Sequence, residues 1–361
     1  MRSAELEAWL RLGLIPRLGP VAFRKLLSSY GNPEAVLGAS IAALGKVIGP
    51  QLAASVAAGP DSELLAASLD WAAQENHRVL TLADEDYPGL LLEIADPPPL
   101  LYLNGQSTLL KRDALAIVGS RNATPQGEAN AEAFARELSD DGLTIVSGLA
   151  LGIDAAAHAG GLQGEASSMA VVATGLDSVY PARNRRLAHE IARHGLLVSE
   201  FALGTRPLAG NFPRRNRLIS GLSRGVLVVE AAIESGSLIT ARYAVEQGRE
   251  VFAIPGSVHS PVSKGCHALI KQGAKLVETS ADVLEELGRT SVKHTAASTR
   301  SAEIKYPELL HAVGFDPVDL DTICARSGLT AEEASAMLLE LELEGMVVRL
   351  AGGRFQQIRS P

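Results

Sequence analysis

The sequence contains only two cysteines, Cys266 and Cys324, in unrelated contexts along 361 residues. A disulfide framework and a paired-cysteine zinc site are both excluded, and a reducing compartment is expected. Aromatic residues make up 4% of the chain, so aliphatic side chains must build the core of a protein that is 47% hydrophobic. No apolar run approaches the ~18 residues that a membrane-crossing helix requires. The opening Met1-Arg-Ser-Ala-Glu-Leu-Glu7 carries no signal-type apolar stretch. A cytoplasmic globular protein of two or three domains is the expectation. Neither GxxxxGK[ST] nor GxGxxG occurs in a phosphate-binding context, so ATP and NAD are not expected and no cofactor is called for. His189, His194, His259 and His267 lack metal-type spacing, and no metal is expected.

A net positive charge is missing as well. The formal charge is -8, which argues against an indiscriminate nucleic-acid binder. That average conceals an asymmetry. Residues 1–110 carry seven basic and twelve acidic side chains, residues 111–290 nineteen of each, and residues 291–361 seven and ten. Inside the neutral middle, residues 183–224 hold nine arginines against Glu190 and Glu200. A basic segment in an acidic protein calls for an anionic ligand.

Residues 1–78 read as an all-helical domain, rich in Ala and Leu at helical spacing and broken by Gly-Pro pairs. Arg17-Leu-Gly-Pro20 and Val47-Ile-Gly-Pro50 each lead into an apolar helix, with Gly19 and Gly49 thirty residues apart. The pair resembles tandem helix-hairpin-helix units, whose turn amides can hold a backbone phosphate. With few cations nearby, either a protein-contact bundle or a DNA-touching one fits. Past the proline junction Asp96-Pro-Pro-Pro99, short apolar runs alternate with amphipathic stretches at 114–118, 144–147, 169–173, 196–199, 225–229, 250–254 and 275–277. Continuous apolar strands separated by helices predict a doubly wound α/β domain with a parallel sheet over residues 79–288. Residues 289–305 read as a linker. Residues 306–361 read as helix, turn, helix and β-hairpin wing, with a capping box at Thr330–Glu333 and a turn at Gly352-Gly353. The second helix bears five glutamates and no Lys or Arg, so this winged-helix module is expected to contact protein rather than duplex DNA.

Ligands of doubly wound sheets gather beyond the carboxyl ends of the strands. The turns expected there are rich in glycine and serine: Gly119-Ser120-Arg121, Ser147-Gly148, Thr174-Gly175 and Ser235-Gly236-Ser237. Exposed amides at helix starts favour phosphate oxygens. Arg183, Arg185 and Arg186 follow the third run, and Arg214, Arg215, Asn216 and Arg217 precede the fifth. Arginine forks match phosphates and stack on bases, so an extended polyanion, single-stranded DNA, suits this set better than a mononucleotide. Tyr180 and Phe212 are the aromatics placed to stack. Asp154 and His158 share a helical face at i, i+4, but no nucleophile or metal cluster joins them, which favours a buried packing pair over an acid-base pair.

These stretches resemble the DNA-processing protein A (DprA, also Smf) family in order: Ile117-Val-Gly-Ser-Arg121, Ser147 to Asp154 with His158, Thr174-Gly-Leu-Asp177 and Tyr180-Pro181. The series continues through Phe212-Pro-Arg-Arg-Asn-Arg217, Val229-Glu230, Ser235 to Thr240 and Ile254-Pro-Gly256. The resemblance implies an extended Rossmann-type core between a helix-hairpin-helix (SAM-like) domain and a winged helix. It implies a non-enzymatic homodimer that shields incoming single-stranded DNA during natural transformation and loads the RecA recombinase onto it. Contacts with single-strand-binding protein, and with duplex DNA through the N-terminal domain, are further expectations. In the family's DNA pocket, Arg121 and Arg185 or Arg186 match the basic positions. A rival is a phosphoribohydrolase-like enzyme on a related fold, but Glu234-Ser-Gly-Ser-Leu-Ile-Thr240 lacks the PGGxGTxxE pattern of those enzymes.

Overall fold

The helical spacing of Leu and Ala at the start of the chain becomes six helices in the computed structural model, which describes residues 3–290 and 305–358. They are α1 (Ser3–Gly13), α2 (Pro20–Tyr30), α3 (Pro33–Leu37), α4 (Ile41–Ile48), α5 (Pro50–Ala58) and α6 (Ser62–Ala72). Pro20, Pro33 and Pro50 each occupy the first turn, where the missing amide hydrogen costs nothing. Asn32, Ser40 and Asp61 cap the helices they precede through their side-chain oxygens. The bundle closes over Trp9, Leu10, Phe23, Leu26, Leu44 and Trp71, with Trp9 and Phe23 stacked at 5.6 Å. Its apolar cluster continues into Val79, Leu100 and Tyr102 of the next two strands, β1 (His77–Thr81) and β2 (Leu100–Gly105). Helix α7 (Gly89–Leu92) lies between them. The helices and the sheet therefore share buried surface, and β1 runs across residue 78.

From Ala114 the chain alternates. The order is β3 (Ala114–Gly119), α8 (Pro125–Asp140), β4 (Thr144–Ser147), α9 (Ile153–Gln163), β5 (Ser168–Val171), α10 (Arg185–His194) and β6 (Leu196–Ser199). Next come α11 (Asn211–Gly221), β7 (Gly225–Val229), α12 (Ser237–Glu246), β8 (Glu250–Ala253), α13 (Lys264–Lys271), β9 (Lys275–Leu276) and α14 (Ser280–Glu286). The seven expected strands are present, and their sheet order within the nine-stranded sheet is β1-β2-β6-β5-β4-β3-β7-β8-β9. Strands β3 to β9 pair in parallel. Two strands beyond the expected set, β2 on β6 and β1 on β2, add an antiparallel edge. The chain builds outward from β3 to β6, then returns to the far side of β3 to lay down β7. That reversal opens a crevice at the carboxyl ends of β3 and β7, where such folds seat ligands.

Close helix packing frames this crevice. A Cβ on Gly160 of α9 would lie 2.1 Å from the Glu132 carbonyl oxygen of α8. Gly160→Ala is expected to lower the unfolding free energy by about 1–3 kcal/mol through overpacking, outweighing an alanine helix propensity gain of ~1 kcal/mol. A lower denaturant midpoint at unchanged slope checks this.

Beyond the sheet follow α15 (Pro307–Val313), β10 (Val318–Asp319), α16 (Leu320–Ser327), α17 (Ala331–Leu343), β11 (Val347–Arg349) and β12 (Arg354–Gln357). The strands form an antiparallel sheet in the order β10-β12-β11. The capping box of Thr330 and Glu333 opens α17, and Gly352 and Gly353 turn the wing with positive φ. Helix α15 and strand β10 complete the winged helix ahead of the first expected helix. The expected linker lies outside the described residues except at its ends, where Arg289 meets Asp113 at 3.1 Å and Lys305 meets Glu344 at 2.7 Å. No helix among the described residues is long and apolar enough to cross a membrane.

Candidate nucleic-acid interface

A cleft of about 620 Å³ occupies the crevice. Gly119, Ser120, Arg121 and Asn122 form one wall, and Ser235, Gly236, Ser237 and Thr240 form the other. Ala150, Asp154 and Arg215 line its depth, while Phe212, Pro213 and Asn216 of α11 close a third side. The Gly-Ser-Arg turn is held at both ends. The Ser120 carbonyl accepts a 3.1 Å hydrogen bond from Ile153 N at the start of α9. Gly152 makes that approach feasible: its φ is +71°, and a Cβ there would sit 2.4 Å from the Ser120 carbonyl oxygen. On the other side, Thr124 donates its backbone N–H (2.9 Å) and its hydroxyl (2.5 Å) to the Glu230 carboxylate after β7. The Thr124 oxygen also caps α8 through Gly127 N. The turn is thus preorganised, while the Arg121 side chain is exposed and makes no hydrogen bond or ion pair among the described residues.

The Arg121 guanidinium lies over the Phe212 ring, 5.5 Å from its centroid, and Phe212 in turn lies 5.7 Å from Tyr180. The two aromatics read from sequence as stacking candidates are therefore neighbours, tilted at 53° to each other, with a planar cation above one of them. This arrangement offers a base a stacking platform and a phosphate a fork. Ser235 Oγ and Ser237 Oγ sit 2.7 Å apart, and Asn216 Nδ2 donates to the Gly236 carbonyl at 3.3 Å, tying α11 to the serine-rich wall. Glu234 brings one carboxylate to the rim.

The four residues 214–217 do not act as one DNA-facing set. They lie consecutively on α11, and at about 100° per residue they point in four directions. Only Arg215 and Asn216 line the cleft. Arg215 is 4% exposed, and its Nη1 donates to the carbonyls of Gly148 and Val171, both at 2.5 Å. Burial pulls its guanidinium down to about 10, with the charge of Arg121 adding and that of Asp154 opposing. It remains charged at neutral pH, as a strut beneath the cleft whose Nη1 already serves the protein. Gly148 is buried behind it, and a Cβ there would lie 2.5 Å from that nitrogen. Arg217 is buried away from the cleft, with Nη2 on Glu200 Oε2 and Nη1 on the Asp96 carbonyl. Arg214 pairs with Glu200 at 3.0 Å and covers Phe201. Arg183, Arg185 and Arg186 are exposed at the start of α10, beside the cleft rather than in its lining. Asn184 fixes them there by donating to the carbonyls of Leu149 (2.9 Å) and Ala150 (3.0 Å).

Asp154 and His158 share one face of α9, both buried. Asp154 Oδ2 accepts from Gly148 N (3.1 Å) and Ala150 N (3.3 Å). Burial pushes the carboxyl up, opposed chiefly by the Arg215 charge. His158 Nε2 accepts from Leu149 N at 3.3 Å, so its proton sits on Nδ1 and is donated to Ser168 Oγ at 2.7 Å. Both residues hold the 147–150 turn. Burial, aided by Arg215, drops the imidazole to about 3. The folded form thus keeps His158 neutral while the unfolded chain binds a proton below its ordinary value near 6.5. Stability is full above 6.5 and falls with pH toward 3, by up to ~1.4 kcal/mol per unit. His158→Asn, which keeps a donor toward Ser168, is expected to flatten that slope between pH 6.5 and 5 in chemical unfolding. Among the described residues, no group of His, Cys, Asp and Glu is arranged to hold a metal ion.

Comparison with known proteins places this geometry. Residues 78–288 match the family model of DNA recombination-mediator protein A, and residues 293–353 match that of the DprA winged helix domain. The chain belongs to the DprA/Smf family. It is 45% identical over 295 residues to protein Smf of Escherichia coli, covering 79% of each chain. Among solved structures it is similar to DNA processing protein A of Streptococcus pneumoniae, with a TM-score of 0.69 and 39% identity over 79% of this chain and 98% of that one. It is also similar to the Helicobacter pylori protein, whose structure concerns its single-stranded DNA binding mode. There the TM-score is 0.53 and the identity 33%, over 58% of this chain and 95% of that one. The DprA/Smf core thus coincides with the sheet that carries the cleft, and the second match bears out the winged-helix fold of the C-terminal module.

Sequence reasoning missed the Glu230–Thr124 anchor. A glutamate ending an apolar strand is a signal, because a carboxylate placed there needs donors.

Proposed function

We propose that the protein binds single-stranded DNA in the cleft between β3 and β7 and acts, without catalysing a reaction, as a cytoplasmic recombination mediator that loads RecA. The observation that carries this reading is the exposed Arg121 guanidinium, set on a turn anchored from two sides and lying over Phe212, with Tyr180 tilted beside that ring. The DNA-binding residues in this reading are Arg121 with Gly119 and Ser120 of its turn, the facing wall of Ser235, Gly236 and Ser237, and Arg183, Arg185 and Arg186 beside them. Arg215 and Gly148 shape the cleft from below. The layout we propose has an N-terminal helical domain to residue 78, the DNA-binding core to 288 and the winged helix from 306. A homodimer is the proposed assembly.

Fluorescence anisotropy with a ~30-nucleotide strand and the matching duplex, across a salt series, tests it. Tight binding that prefers the single strand, with a steep salt dependence, is expected. Equal or stronger duplex binding would move the site to the helical domain or the wing. Incubation with AMP is expected to release no adenine. RecA loading is read separately, as faster filament growth on strands precoated with single-strand-binding protein.

A further inference from the structure

A second hollow, of about 540 Å³, lies at the other end of α10. It is lined by Asn76, Asn104, Gln106, His189 and Arg193, with Glu75 at its edge. The three carboxamides and the imidazole make no side-chain hydrogen bond among the described residues, so their donors and acceptors face the hollow or solvent unpartnered. Carboxamides present a donor beside an acceptor, the pattern that reads the edge of a base.

Helix α10 joins this hollow to the cleft. Its first end is fixed by Asn184 on the carbonyl of Ala150, a cleft residue. Its last end meets β2, where Gln106 N donates to the Gly195 carbonyl at 2.8 Å. Ten residues make it about 15 Å long. Arg186, His189 and Arg193 lie at i, i+3 and i+7 on one exposed face. The carboxylate on this helix, Glu190, meets Arg193 at 3.8 Å and His194 at 3.9 Å. Such exposed pairs are weak, and a phosphate can displace them.

We infer that a single strand leaving the cleft follows the basic face of α10 and seats a further nucleotide in the hollow of Asn104, Gln106 and Arg193. This rests on the cleft being the primary single-strand site. The ridge adds phosphate contacts, and the hollow adds contacts to a base edge. Affinity should then rise with strand length beyond what the cleft alone can hold.

The test compares labelled oligonucleotides of ~6 and ~20 nucleotides with the full chain, its Gln106→Ala/Arg193→Ala variant, Arg193→Glu, and Arg121→Ala. The hollow variants are expected to raise the Kd of the longer strand about fivefold to tenfold and to flatten its log–log salt slope by ~0.7 for each phosphate left unneutralised. The short strand should bind them as it binds the unmodified chain. The altered side chains lie on the surface, so an unchanged thermal midpoint verifies folding. Unchanged binding of the longer strand, with Arg121→Ala still weakening both lengths, would overturn the inference and leave the cleft reading intact. Equal weakening of both lengths would also overturn it, since the hollow would then act through the cleft. If the unmodified chain bound neither strand, the cleft reading itself would fall.

Discussion

Replacing Arg121 with alanine is expected to weaken single-strand binding about fivefold to a hundredfold while leaving the fold intact. The side chain is exposed, and its one aromatic contact among the described residues is the Phe212 face. Its removal forfeits a phosphate fork and a stacking surface, together about 1–3 kcal/mol. Two companions separate these contributions. Arg121→Lys keeps the charge but loses the planar fork, so its salt slope should hold while affinity drops. Phe212→Ala keeps the charge and removes the platform, so affinity should fall with little change in slope. For Arg121→Ala the slope should flatten by ~0.7 for each phosphate that the guanidinium had neutralised. Unchanged affinity for Arg121→Ala in the anisotropy titration would remove the cleft as the DNA site.

The parts of the fold that periodicity specifies could be read directly. Runs such as Ala114–Val118 and Gly225–Val229 are buried throughout, and only a strand covered on both faces needs that pattern. Small residues at the carboxyl ends of such runs mark the edge at which the cleft lies. Strands β1 and β2 were harder. His77-Arg-Val-Leu-Thr81 begins with two charged or polar residues, and its inner three positions are buried through pairing with β2 and contact with the helical bundle. That is a tertiary effect without a local signature. At the site, composition found the arginine-rich segment but not the division of labour within it. Helix geometry alone would have shown that Arg214, Arg215, Asn216 and Arg217 cannot share a face. Which of them turn inward depends on partners from other elements, the Gly148 and Val171 carbonyls for Arg215 and Glu200 for Arg217.

That division makes Arg217 a test of the arginine assignment. Arg217 and Glu200 are 5% and 1% exposed at their side chains, and Arg217 Nη2 donates to Glu200 Oε2 at 2.5 Å. Arg217 Nε also lies 3.2 Å from Asp96 Oδ2, an ion-pair distance without hydrogen-bond alignment. Asp96 opens the proline junction, and Arg24 of the helical bundle donates to the neighbouring Ala95 carbonyl at 2.6 Å. Arg217 therefore pins the junction that carries the bundle onto the sheet. Removing one partner of such a pair strands the other charge, at a cost of about 3–5 kcal/mol. Arg217→Met should fall at the lower end, because Arg214 still reaches Glu200. Burial raises the Glu200 carboxyl, and Arg217 is its strongest opponent. Without Arg217, the folded protein holds a proton there that the unfolded chain releases, so the deficit should grow as pH rises from 5 to 7. Adding Glu200→Leu should recover much of the loss and remove that pH dependence. Below its unfolding transition, Arg217→Met should bind single strands like the unmodified chain, since the side chain points away from the cleft. If affinity falls while circular dichroism shows an intact fold, Arg217 contacts the strand and the burial argument fails.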